Sequence, residues 1–211
     1  MEFRLVDPEL GSLVYQWHRG FAAANDNLFP RPWGVYEKLA GEGRIWCVQD
    51  HKGNYVGLSY FHLDGAVWEV GGLMVDTRER KTGVGSILAR LTLGHLLFEE
   101  DPLRRGERVV VHVHAENEAP RVLIEKVLKF RHHGRVSVLG SELPGLKTNA
   151  EGFVEGDEFE MNCPETLVAL ADWCDGWTGA LKDGRQVQIT LAPRTSLSLW
   201  AEAFRDMAGR C

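Results

Sequence analysis

The feature that most constrains this chain is an apolar strand that passes through a polar loop into a helix beginning with two glycines. Leu73, Met74 and Val75 close the strand, residues 76–82 are polar, and Gly83, Val84, Gly85 and Ser86 open a helix with Ile87, Leu88, Leu91 and His95 on one face. A helix N-terminus leaves backbone N–H groups without partners and gathers the positive end of the peptide dipoles, so it suits an anion. Gly83 and Gly85 lack the Cβ atoms that would hold a phosphate away from those groups. Arg80 and Lys81 add positive charge, and Ser86 can donate one more hydrogen bond. The stretch has neither the GK[ST] ending of a Walker loop nor the longer GxGxxG dinucleotide spacing. By itself a GxG pair equally describes glycines that only shape a loop-to-helix junction.

The surrounding pattern supplies the elements. Asp7 before Pro8 is a helix start, and Leu10, Leu13, Val14, Trp17 and Phe21 recur as one apolar helical face. Residues 25–33 form a loop, residues 35–40 a short helix, and residues 44–49, 55–63 and 67–75 three strands of an antiparallel meander. A helix over 83–98, a strand over 109–114, a helix over 120–130 and strands over 135–139 and 158–161 follow. The order is ααβββαβαββ. From Pro164 a helix over 165–174, a hairpin over 178–191 turning at Lys182-Asp183-Gly184, and a last helix with Leu197, Trp200, Phe204 and Met207 inward give an αββα extension.

At 211 residues, with 44% hydrophobic and 26% charged residues, the chain can bury a substantial core. A net charge of -6 gives no global positive field for nucleic acid or an acidic membrane, and neither is expected as a partner. Cys47, Cys163, Cys174 and Cys211 show no CxxC pair and no zinc-type histidine spacing, so no metal site and four free thiols are expected. With no apolar run of membrane-spanning length and no signal-peptide core, a cytoplasmic protein is expected.

Arg-x-x-Gly-x-Gly at Arg80 to Gly85, after a strand ending Leu-x-Val, resembles the acyl-CoA signature of the GNAT superfamily. The order of elements over residues 35–161 is similar too, as is Val113-x-x-x-Asn117 before a helix. The resemblance implies an α+β fold on a mixed sheet, an acyltransferase domain over 1–163, and an extension over 164–211 that packs on it or mediates a homodimer. It implies acetyl-CoA, or another short acyl-CoA, as cofactor. The backbone of Leu73, Met74 and Val75 would pair with the pantetheine arm, Arg80, Lys81, Thr82, Gly83, Val84, Gly85 and Ser86 would hold the pyrophosphate, and Asn117 would contact the cofactor. The activity implied is N-acyl transfer to a primary amine of a small molecule or protein.

Such transfer needs a deprotonated amine, a stabilised oxyanion and a released thiolate. Family members that use a glutamate base carry it where Glu69 stands on this strand. Period-two alternation puts Glu69 with Val67, Gly71, Leu73 and Val75, and apolar neighbours would raise its pKa; a solvent-facing or ion-paired strand-end glutamate is the alternative. His62, His112 and His114 are further proton relays, or else hydrogen-bonded structural histidines. The oxyanion donor is expected from backbone near Met74. The family's thiolate-protonating tyrosine would fall at or near Glu125, and no tyrosine follows Tyr60. The thiolate then leaves unassisted, Glu125 or a water protonates it, or the protein is a catalytically silent acyl-CoA-binding regulatory module. The acceptor would enter beside the loop between the first two helices, where Asp26 and Glu37 could attract an ammonium and Phe29 or Trp33 cover an aliphatic stem. A solvated loop with an aromatic staple is the competing description of those residues.

Overall fold

In the computed structural model of the protein, which describes every residue except Asp26, Asn27 and Pro30, the first element is a strand and not a helix. β1 (Glu2–Leu5) pairs antiparallel with β2 (Ile45–Gln49). Its one fully buried side chain, Phe3, sits between charged Glu2 and Arg4, too little alternation to register as a strand. Asp7 then accepts a hydrogen bond from the Glu9 N–H at 3.0 Å and starts a short turn into α1 (Gly11–Ala23). The buried face of α1 is Val14, His18 and Ala22, while Leu13, expected inside, points to solvent. α2 (Trp33–Gly41) follows, then β3 (Tyr55–Asp64) and β4 (Val67–Val75), which complete the meander with β2.

α3 (Val84–Glu100) carries the chain across the sheet to β5 (Arg108–His114), parallel to β4. The helix expected over 120–130 is a short α4 (Glu118–Val122) that widens into a π turn over Leu123–Val127. β6 (Arg131–Leu139) and β7 (Phe153–Glu160) pair antiparallel and run longer than their apolar residues suggest, since polar side chains line the exposed face of β6. β7 inserts beside β5, and the eight strands among the described residues lie in the order β6-β7-β5-β4-β3-β2-β1-β8. On one face Trp68, Val70, Val109 and Val111 pack with Leu88 and Leu91 of α3; on the other Leu58, Tyr60 and Met74 pack with Tyr36 and Leu39 of α2.

The C-terminal segment comprises α5 (Cys163–Asp175), β8 (Gln188–Thr190) and α6 (Leu197–Ala208), and so reads αβα where αββα was expected. The hairpin shrinks to a single bridge between Ala180 and Gln186, because the following residues pair in parallel with the open edge of β1. Trp200, Phe204 and Met207 of α6 are buried as their spacing predicts. Trp200 packs onto the backbone of α3 at Gly94, where an added Cβ would lie 2.8 Å from the indole. The expectation of four free thiols is corrected: Cys163 and Cys211 form a disulfide, and only Cys47 and Cys174 are free and buried. Folding brings together two cysteines 48 residues apart, a separation without any motif to announce it. The disulfide also removes one ground for placing the chain in a reducing compartment. Among the described residues, no helix is long and apolar enough to cross a membrane.

Candidate active site

β4 and β5 pair over only Val67/Arg108, Trp68/Val109 and Glu69/Val110, and then diverge. The divergence begins beside a bulge. Between the pairs Gly71/Tyr60 and Met74/Leu58, β4 advances three residues while β3 advances two. Gly72 takes φ +61°, and a Cβ there would fall 2.0 Å from the Tyr60 ring, so the position accepts only glycine. Beyond Glu69 the edge of β4 that faces β5 therefore has no strand partner among the described residues.

A slot of about 100 Å³ fills the divergence, lined by Gly72, Leu73, Val111, Asn117 and Ile124 among others. It adjoins a larger cavity of about 420 Å³, and the two share Leu28, Gly71, Gly72, His112, Val113 and His114. Val136, Val138, Leu146 and Val154 of the β6–β7 hairpin line the larger cavity, with Phe29, Arg31, Tyr60, His62 and Glu69 also in its wall.

The bulge overturns the expected surroundings of Glu69. Leu73 and Val75 pack into the α3 core, and Met74 takes up the face opposite. The carboxylate has polar neighbours: Arg31 Nη2 at 3.6 Å, His62 Nε2 at 3.5 Å and His112 Nδ1 at 3.5 Å. Burial alone would raise its pKa, but the His112 contact, His62 and Arg31 together outweigh burial and hold the carboxyl below its ordinary range. The expected raised pKa is thus corrected to a lowered one. His112 is pushed up, chiefly by its contact with Glu69 against the opposing effect of burial; its Nε2 also lies 3.1 Å from Glu158, which Arg108 holds at 2.7 Å. Burial pushes His62 down, against the pull of Glu69. Among the described residues, no group of three or more ligands is arranged to hold a metal ion.

Arg31 was not anticipated. Its Nε donates to the Tyr60 hydroxyl at 2.8 Å, its guanidinium stacks 5.6 Å from the Phe29 ring, and its backbone N–H donates to His18 Nε2 at 3.3 Å. His18 accepts because burial, then Arg31, push its pKa down to about 4 and keep it neutral. The available signal was alternation on β3, which puts Tyr60 and His62 on one face, though nothing in the loop sequence singles out Arg31. Phe29 lines the larger cavity, whereas Trp33 packs 5.0 Å from Tyr15 and lines neither opening. Glu37 is exposed, and Asp26 lies outside the described residues. His114 borders both openings, and Glu125 is exposed and borders neither.

The helix start has the expected form. Gly83 precedes α3 with φ +106°, and Gly85 packs so that a Cβ would meet Val75 at an ordinary 3.4 Å. Arg80 and Lys81 are exposed and make no ion pair among the described residues. The Thr82 hydroxyl donates to the Glu79 carbonyl at 2.7 Å, and Ser86 Oγ accepts from Arg90.

An acetyltransferase of the GNAT family from Streptococcus pneumoniae matches this structure with a TM-score of 0.56, over 75% of this chain and 96% of its own, at 14% identity. The chain has the GNAT acetyltransferase fold. Other GNAT-like structures agree. NAA60 of Arabidopsis thaliana, in complex with a bisubstrate analogue, gives 0.54 at 16% identity, over 76% of this chain and 97% of that one. The diaminobutyrate acetyltransferase EctA of Paenibacillus lautus, with L-2,4-diaminobutyric acid and coenzyme A, gives 0.53 at 16% identity, over 75% and 93%. No protein-family model matches the sequence, and no curated protein matches it significantly.

Proposed function

We propose that the protein transfers an acetyl or other short acyl group from acyl-CoA to a primary amine, residues 1–163 forming the acyltransferase unit to which 164–211 are added. One observation carries this reading. The divergence of β4 from β5 leaves a free strand edge and a carboxylate–imidazole cluster around one connected opening, and the same strand runs on through a short loop into a two-glycine helix start. These residues suit the cofactor. Peptide groups of Leu73, Met74 and Val75 can pair with the pantetheine amides where β5 has moved away, and Asn117 borders the same slot. Backbone N–H groups from Lys81 to Ser86, with Arg80 and Lys81, suit a pyrophosphate.

The acyl-CoA supplies an acyl group activated as a thioester. Glu69 attracts the acceptor ammonium and, ionised at neutral pH, takes its proton directly or through His62 or His112. His62, kept neutral by burial, can accept a proton that a carboxylate of lowered pKa holds weakly. The apolar hairpin wall and Phe29 would cover the organic body of the amine.

A second reading, a catalytically silent acyl-CoA-binding module, is favoured by the lack of a general acid at the expected place: Glu125 is exposed and does not line the slot, and no tyrosine follows Tyr60. Coenzyme release from acetyl-CoA in the presence of varied primary amines separates the two. The enzyme reading expects release above the hydrolysis background with at least one amine. Saturable acetyl-CoA binding without release for any amine supports the silent module instead.

A further inference from the structure

The turn 181–185 of the C-terminal segment lies directly on the glycine loop. The Lys182 backbone N–H donates to the Thr82 carbonyl at 3.1 Å, and the Lys182 side chain passes within 3.5 Å of where a Gly83 Cβ would stand. Arg185 locks the turn in place through a two-pronged pair with Glu79, at 3.0 and 2.6 Å, and Leu181 is buried beneath it. Lys182 itself is exposed and forms no ion pair among the described residues.

A second cation is held at the first turn of the same helix. A helical side chain leans toward the N-terminus of its helix, so the guanidinium of Arg90 reaches back to the Ser86 carbonyl and hydroxyl in the first turn of α3. Trp173 of α5 lies 5.6 Å from that guanidinium. Arg90 is half-buried, has no carboxylate partner among the described residues, and its Nε has no hydrogen-bond acceptor. A cation taken out of water without a counter-charge is costly. An anion at the helix start would supply that counter-charge.

We propose that the turn 181–185 forms the outer wall of the coenzyme's diphosphate site, with Lys182 and Arg90 flanking the phosphates. This rests on the acyl-CoA reading of the glycine loop and adds a role for the segment beyond Pro164. That segment carries the cofactor's second cationic wall, fastened to the loop by Arg185 and Glu79.

The test compares binding of acetyl-CoA and of S-acetylpantetheine, which lacks the phosphates. Lys182→Glu should weaken acetyl-CoA by about tenfold or more, the fold-change of a lost charge-assisted hydrogen bond, while leaving S-acetylpantetheine and the melting temperature unchanged. Lys182→Arg should retain wild-type affinity. Arg185→Ala, which releases the turn while Lys182 remains, should shift acetyl-CoA in the same direction. Wild-type affinity in Lys182→Glu overturns the proposal and leaves the acyl-CoA reading intact. Tighter binding also overturns it, since the turn would then obstruct the site, as does equal weakening toward both ligands. Failure of the wild-type protein to bind acetyl-CoA removes both the proposal and the reading beneath it.

Discussion

Glu69→Gln is expected to lower turnover by roughly 100- to 10,000-fold, the usual worth of a positioned general base, and to leave acetyl-CoA affinity within a few-fold of wild type. The separation follows from position: Glu69 lines the larger cavity, while the proposed phosphate site is the glycine loop at the start of α3, which lines neither opening. Glutamine keeps the shape and can still hydrogen-bond His112, so the sheet has little reason to rearrange. The charge is what changes. Contact with Glu69 is the largest influence raising the pKa of His112, and a neutral glutamine weakens it by removing the negative charge. If the proton passes through His112, the wild-type rate rises with pH as this imidazole loses its proton, and in Glu69→Gln the rise moves to lower pH. A structural Glu69 would cost stability or nothing, and the profile would keep its shape. A high-pKa alkylamine is the decisive acceptor, because an amine that is already neutral needs little help. Wild-type turnover by Glu69→Gln on such an amine would exclude Glu69 from the mechanism and direct attention to His62, His112 and His114.

Gly85→Asp is expected to abolish acetyl-CoA binding while the folded protein keeps its melting temperature. Gly83 is the less clean site for this test. Its φ of +106° strains any other residue, and a side chain there would also meet Lys182. Gly85 is free of both problems: its φ is not positive, and a Cβ would make ordinary contact with Val75 at 3.4 Å. A carboxylate in the first turn of α3 even interacts favourably with the helix dipole, so the unliganded fold should lose nothing. The pyrophosphate would meet that carboxylate at close range. Like charge and lost access to the N–H groups together should weaken binding by at least about 100-fold, the effect of two or more lost charge-assisted hydrogen bonds. Normal acetyl-CoA binding by the variant would put the phosphate site elsewhere in the molecule.

The sequence showed those parts of the candidate site whose chemistry is local. The glycine loop, its flanking charges and the apolar face of α3 are read from consecutive residues, and Ile87, Leu88, Leu91 and His95 are all buried as their spacing requires. Likewise α6 buries Trp200, Phe204 and Met207. What stayed hidden depends on contacts between distant segments. Strict alternation cannot foresee a bulge, so Gly71-Gly72 passed as an ordinary pair and Leu73 and Val75 were assigned to the wrong face. The polar setting of Glu69 was missed for the same reason, since Arg31 arrives from an irregular loop and His112 from a strand across the divergence. β1 has one core residue to betray it, and the partner of Cys163 stands 48 residues away, just past the end of α6.

Calorimetric titration of the wild-type protein with acetyl-CoA bears most directly on the acyltransferase reading. Saturable one-to-one binding in the micromolar range is expected, within the span of ordinary enzyme–substrate affinities, with a melting temperature that climbs as acetyl-CoA is added. A folded protein that gives no binding heat and no thermal shift with acetyl-CoA or any other acyl-CoA, at concentrations up to roughly 1 mM, would contradict it.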